Sequence, residues 1–224
     1  MQISLSFLLL LFVACSGYNS DLDILMKIKS SFTKGSGVGM EDWTSSQSTN
    51  PHCSFPGVLC DANGRVVSLN VSFRPALNGS IPAEIGLLDK LVNLTVSSNS
   101  LGGELPIQMG KLTSLKVLNL SNNGLLEGRF PGEIFLGMTR LEILDVYNNN
   151  FTGPLPTEVA GLKFIRHLHF GGNLFSGEIP DSYANMESLE YLGLNGNSQT
   201  GKIPASLSIL KNLKHLYLGY YSTY

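Results

Sequence analysis

The chain has 224 residues, of which 43% are hydrophobic and 14% charged, with a formal net charge of −2. That composition suits one ordered domain. Its 15 Lys and Arg are scattered among 17 Asp and Glu, so neither an electrostatic funnel for nucleic acid nor a basic patch for a membrane surface is expected.

Residues 1–17 read as a secretory signal peptide, with an apolar run from Leu5 to Val13 followed by small residues. The usual positive start is missing, and about nine apolar residues are too few for a mature membrane anchor. Cleavage after Cys15, Ser16 or Gly17 fits the small-residue rule. A bacterial lipidation signal ending at Cys15 is the rival, but Phe12 fits that box poorly and no Lys or Arg precedes the run.

Residues 18–64 read as an N-terminal cap. In DLDILMKIKSSF, Asp21 to Phe32, the residues Leu22, Leu25, Met26, Lys29 and Phe32 fall at helical spacing with acidic side chains in the first turn, which predicts a short amphipathic helix. A Gly/Ser-rich bend from Gly35 to Gly39 leads to Asp42-Trp43 and then HCSFPGVLC. Cys15 is expected to leave with the signal. Cys53 and Cys60 then remain as a close pair in an exported chain, which predicts a disulfide rather than a metal site.

Residues 65–224 are repetitive. Val66 to Lys90 forms a degenerate first coil that loses its Asn around Arg74 to Ala76. From Leu91 the pattern LxxLxLxxNxLxGxLP is written five times, opening at Leu91, Leu115, Leu141, Ile165 and Leu189, with a partial sixth from Leu213. Four copies advance by 24 residues and the one at Leu115 by 26. A period of this size predicts a leucine-rich repeat solenoid, an α/β-type right-handed coil. Short strands stack into a parallel sheet on the concave side, with turns and short helical segments on the convex side.

Each letter has a physical role. Leu91, Leu94, Val96 and Leu101 point inward, and only stacking of coils hides them. Asn99, Asn123, Asn149, Asn173 and Asn197 are expected to satisfy turning backbone that no ladder reaches. Gly103, Gly128, Gly153, Gly177 and Gly201 permit a sharp bend, and the Pro that follows fixes the returning chain. Gln199 replaces the usual Leu or Phe, which predicts a loose or rearranged coil there.

Outward strand positions change along the array. Asn93, Thr95, Ser97, Val117, Asn119 and Ser121 dominate early, whereas Asp145, Tyr147, His167, His169, Tyr191, Asn195, His215 and Tyr217 appear from the third coil on. Rigid rings beside polar groups make a recognition surface. Sequons at Asn70, Asn78, Asn93, Asn119 and Asn150 mark glycosylation acceptors. Sugars on Asn70, Asn93 and Asn119 would crowd the early concave strands and leave coils three to six open. His167 and His169 share a strand face, yet two ligands are an incomplete metal set and their coil offers no third donor. Asp145 and Tyr147 lack a second carboxylate, a nucleophile with its base or a closed pocket, so no catalytic site is expected. No cofactor is expected either.

The turns GSIP, GEIP and GKIP, with Trp43 and a Cys pair ahead of the array, resemble the plant-specific leucine-rich repeat class. DWTSSQSTNPHCSFPGVLC, RVVSLNVSF, LTSLKVLNLSNN, LDVYNNNFTGPLP, FGGNLFSGEIPDSY, SLEYLGLNG and LGYYSTY resemble the start of the CLAVATA receptor-kinase ectodomain, over essentially the whole chain. The resemblance implies an extracellular domain that senses small secreted CLE-type peptides with a leucine-rich repeat co-receptor kinase. It also implies control of meristem or nodule number and, in full-length members, a single membrane helix and a cytosolic serine/threonine kinase.

The chain departs from that pattern by stopping at Tyr224 within a coil, with no C-terminal cap, apolar span or glycine-rich phosphate loop. It is therefore expected to be a truncated piece, secreted or extracellular, that is not itself an enzyme and makes no membrane contact of its own. The alternative is a secreted inhibitor of pathogen cell-wall hydrolases, of the polygalacturonase-inhibiting type. Those proteins usually carry extra cysteine pairs in both caps, where this chain has one pair.

Overall fold

The computed structural model describes residues 20–44 and 49–219. The signal segment with Cys15, and Tyr220 and Tyr221 of the GYY motif, lie outside the described residues. Helix α1 (Asp21–Phe32) opens with a capping box: Ser20 Oγ accepts from Asp23 N–H at 3.2 Å, and the Asp23 carboxylate accepts from Ser20 N–H at 3.1 Å. Ile24, Leu25, Ile28 and Phe32 form its buried face, while Met26 is 38% exposed. The apolar stripe is therefore rotated from the expected one. Ile24 and Ile28 carry it, and Lys29 sits at its margin, its Nζ donating to Trp43 O at 2.8 Å.

The rest of the cap is built around Trp43, which is fully buried, stacks on Phe55 at 5.1 Å and donates its indole N–H to Pro56 O at 3.1 Å. Cys53 and Cys60 are disulfide-bonded, as expected. Strand β1 (Val58–Cys60) pairs antiparallel with β2 (Val66–Asn70). The hairpin thereby covers the first edge of the concave sheet, a place where unpaired backbone would otherwise face solvent.

Beyond β2 the concave strands are parallel: β3 (Asn93–Thr95), β5 (Val117–Asn119), β7 (Ile143–Asp145), β9 (His167–His169), β11 (Tyr191–Gly193) and β13 (His215–Tyr217), giving eight strands in all with β1 and β2. Register is strict, so Leu94, Leu118, Leu144, Leu168 and Leu192 are lateral partners and each is fully buried. Leu216 continues the row but is 42% exposed, because no described coil covers its outer flank.

A second, five-stranded parallel sheet runs through the other side of the coils: β4 (Gly102–Gly103), β6 (Leu125–Arg129), β8 (Asn150–Pro154), β10 (Leu174–Gly177) and β12 (Ser198–Gln199). After each of Pro82, Pro106, Pro131, Pro156, Pro180 and Pro204 comes a five-residue 3-10 turn. Between the sheets, Phe130 stacks on Phe135 and meets Phe151 and Phe170 edge-on at 5.3 and 5.6 Å. Phe130 lies in the 26-residue coil, at the place that Leu105 and Leu155 hold in neighbouring coils.

The Asn ladder works as hydrogen-bond capacity predicts. Asn173 Nδ2 donates to Val146 O at 2.9 Å and Phe170 O at 3.0 Å, and Asn173 Oδ1 accepts from Phe151 N–H at 3.1 Å. Asn123 and Asn197 repeat the scheme. Asn149 keeps its donor bonds to Leu120 O and Val146 O, but its buried Oδ1 has no partner among the described residues. The N–H that would reach it belongs to the lengthened coil. The residue before each ladder position is left-handed: Phe73, Ser98, Asn122, Asn148, Gly172 and Gly196 have φ between 56° and 66°.

Arg74 occupies the lost Asn position in the degenerate coil. Its N–H donates to Asn99 Oδ1 at 2.7 Å, while its guanidinium grips both Asp42 oxygens at 2.8 Å and Gly39 O at 2.8 Å. A ladder residue has become a strap to the cap. Gln199 also differs from expectation. Its coil is not rearranged, since Ser198 and Gln199 stay in parallel register with Ser176 and Gly177, and Thr200 N–H reaches Gly177 O at 2.8 Å. The strand is merely short, because the polar side chain is half-buried where Phe175 and Phe151 are fully buried.

Candidate functional site

Three outward rows run across the concave sheet. The first carries Asn93, Val117, Ile143, His167, Tyr191 and His215, and the second Thr95, Asn119, Asp145, His169, Gly193 and Tyr217, each neighbour in direct register. The third, just past the strands, holds Tyr147 and Asn195. Parallel strands about 4.8 Å apart bring such residues into side-chain contact.

From coil three on, the rows form a continuous set of rings. His167 stacks on Tyr191 at 4.1 Å and His169 on Tyr147 at 4.7 Å, while His167 and His169 meet edge-on at 6.1 Å. Tyr191 continues to Tyr217 at 5.4 Å and to His215 at 6.1 Å. Glycine makes room for this. A Cβ on Gly193 would lie 2.4 Å from His169 Cδ2, and one on Gly171 would lie 2.9 Å from Asn195 Oδ1 and 3.0 Å from His169 Nε2. Asn195 therefore borders the same recess as His169.

The electrostatics are local. Asp145 Oδ1 accepts from Tyr147 N–H at 3.0 Å and lies 3.6 Å from His169 Nδ1. Burial pushes the His167 and His169 imidazoles below the usual histidine range, and the Asp145 charge opposes that shift without reversing it.

The expected surface residues are thus brought together: Asp145, Tyr147, His167, His169, Tyr191 and Asn195 form one half-buried patch, and His215 and Tyr217 continue it with greater exposure. The sequence reading missed the pairing of Asp145 with His169, since it looked for a third donor only within the histidines' own coil. The signal was present, because 145 and 169 differ by one 24-residue period and are lateral partners. Among the sequons, Asn70, Asn78 and Asn150 are exposed, while Asn93 and Asn119 are half-buried on the early concave strands. Among the described residues no helix is long and apolar enough to cross a membrane.

The leucine rich repeat N-terminal domain family matches residues 18–61, and the leucine rich repeat family matches residues 114–135, 140–162, 164–186 and 188–210. The chain is 40% identical over 129 residues to the LRR receptor-like serine/threonine-protein kinase RPK1 of Arabidopsis thaliana, covering 58% of this chain and 23% of that protein. It resembles the Arabidopsis receptor kinase HAESA, solved with the peptide hormone IDA and the co-receptor SERK1, with a TM-score of 0.81 at 30% identity over 90% of this chain and 33% of the other. It also resembles the solved Pollen Receptor Kinase 3, with a TM-score of 0.66 at 30% identity over 75% of this chain and 78% of that one. The chain spans about a quarter of the length of RPK1 and a third of the HAESA chain. With a capped leucine-rich solenoid and these likenesses across both cap and coils, the chain belongs to the ectodomain family of plant leucine-rich repeat receptor-like kinases.

Proposed function

We propose that the chain is the first part of the extracellular ligand-binding domain of a receptor-like serine/threonine kinase, and that its ligand is a small secreted peptide of the CLE type. The observation that carries this is the ring-lined patch of coils three to six. Stacked, half-buried rings offer rigid contact area at little entropic cost, and Asp145 and Asn195 supply polar contacts beside them. HAESA, solved with a peptide hormone and a co-receptor, lends support to an extended peptide on the inner face with an LRR co-receptor kinase joining it. The finer CLAVATA-like reading rests on the motifs quoted above, and with it a role in meristem or nodule number and a place secreted or at the outer face of the plasma membrane. Glycans on Asn93 and Asn119 would fill the early concave strands and direct the peptide to the later coils.

Calorimetric titration with synthetic CLE peptides tests the reading. Binding that weakens about tenfold or more on Tyr191→Ala, the loss of one well-packed aromatic anchor, supports it. Inhibition of polygalacturonase with no peptide binding would instead establish the hydrolase-inhibitor alternative.

A further inference from the structure

The concave patch brings together three groups whose chemistry suits a metal ion. Asp145, His167 and His169 each present one ligand atom, and the three atoms lie within 4.8 Å of one another. With metal–ligand bonds of about 2.0–2.2 Å, ligand atoms at a tetrahedral angle stand about 3.3–3.6 Å apart. The His169 Nδ1 to Asp145 Oδ1 separation of 3.6 Å already meets that edge. The other separations are at most 4.8 Å.

The supports around the three groups fix their directions. The Tyr147 N–H holds Asp145 Oδ1 at 3.0 Å, the Tyr147 ring backs His169, and the Tyr191 ring backs His167. Glycine at 193 leaves the space that the His169 ring occupies. Such fixed orientation of ligands by surrounding contacts raises metal affinity. A second cluster, His52 with Cys53 and Cys60, carries nothing of this kind because its sulfurs are joined in a disulfide.

We propose that Asp145, His167 and His169 form a binding site for a divalent transition metal of the zinc type, shared between two coils and open toward the concave groove. Two imidazoles and one carboxylate favour zinc and its first-row neighbours over magnesium or calcium, which take all-oxygen sets. Three protein ligands leave at least one coordination position facing the groove, for water or a donor atom of a bound molecule.

The test uses the secreted chain without an affinity tag, freed of metal by chelation and titrated at pH 7.5 with Zn2+ by calorimetry and with Co2+ by visible absorption. No peptide is present, so the result stands apart from the peptide reading. One equivalent is expected to bind saturably, with Co2+ giving the absorption of a low-symmetry site. H167A, H169A and D145N each weaken binding by about tenfold or more. In the unaltered chain, Zn2+ should shift the ring NMR signals of His167 and His169 and spare those of His52. Absence of a saturable equivalent, or ring signals that move at His215 and not at His167 and His169, overturns the proposal whether or not the variants fold.

Discussion

At the residue scale, hydrogen-bond capacity decides which positions are costly to change. Asn173 joins its own coil to the preceding one through its donor and acceptor bonds, whereas Asn149 makes its donor bonds alone and its Oδ1 is already unmet. Replacing Asn173 by Leu strands the buried Phe151 N–H, at about 1–3 kcal/mol for a group left unpaired, while the Val146 and Phe170 carbonyls keep the bonds that Asn149 and Asn197 donate. Asn149→Leu strands no such N–H and removes an acceptor that had no bond. Thermal unfolding should show the larger fall in Tm for Asn173→Leu, and equal falls would refute this accounting. Phe73 is the converse case. It holds a left-handed φ of 57° while 79% exposed, at a position where later coils use Ser, Asn or Gly. Since that region costs most L-residues about 1–2 kcal/mol, Phe73→Asn should raise Tm by a few degrees. The Asn ladder was legible in the sequence because its spacing is regular. The left-handed position beside it was not read, though the Asn-Asn and Gly-Asn pairs at 122–123, 148–149, 172–173 and 196–197 spell it out.

At the element scale, a bridge inside the cap and a strap from the cap to the first coil each make a separate contribution. The Cys53–Cys60 bridge closes a loop with a sequence separation of 7, and a chain-entropy argument gives roughly 2–3 kcal/mol for a loop of that size. Trp43 is the only tryptophan and is fully buried in the cap, so its emission reports on this element alone. Cys53→Ser with Cys60→Ser should lower the denaturant midpoint of the Trp43 signal more than that of the circular dichroism of the coils. The Arg74 strap adds a pH term. Its hydrogen bonds hold the Asp42 carboxyl below the usual carboxylate range, so the unfolded chain takes up that proton first as pH falls. The contribution is present above an ordinary Asp pKa of about 4 and is lost as pH drops through the lower, folded value. Acid titration of Trp43 emission should lose part of its steepness in Asp42→Asn, and an unchanged curve would show that the strap plays no part. Helix α1 and the disulfide could be read directly, but the helix's true face was blurred because the apolar Leu22 and Met26 flank it and draw the apparent stripe away from Ile24 and Ile28. The second sheet went unseen, since its short Gly-containing strands carry no alternation of their own.

At the scale of the molecule, each coil is stabilised by its neighbours and by little else, so position along the array sets the cost of the same chemical change. Leu144 and Leu216 occupy equivalent places in the repeat, but β7 has a strand on each side and β13 on one side only among the described residues. Leu144 is fully buried between coils, and removing its side chain leaves a cavity that costs about 2–5 kcal/mol. Leu216 is 42% exposed, so Leu216→Ala forfeits only part of a transfer term and opens no closed cavity, a cost of about 1 kcal/mol at most. Hydrogen exchange should follow the same gradient. Amides of β5 and β7, paired on both sides, are expected to exchange only through large-scale opening, and those of β13 through local fraying. The proposed metal ligands lie in β7 and β9 and the Tyr191 ring in β11, strands paired on both sides, so a ligand seated there meets a surface whose shape is already set. If β13 amides proved as slow as those of β7, and Leu216→Ala as costly as Leu144→Ala, some contact would have to cover the outer flank of the last coil, and self-association of the chain through that flank would be the first thing to measure.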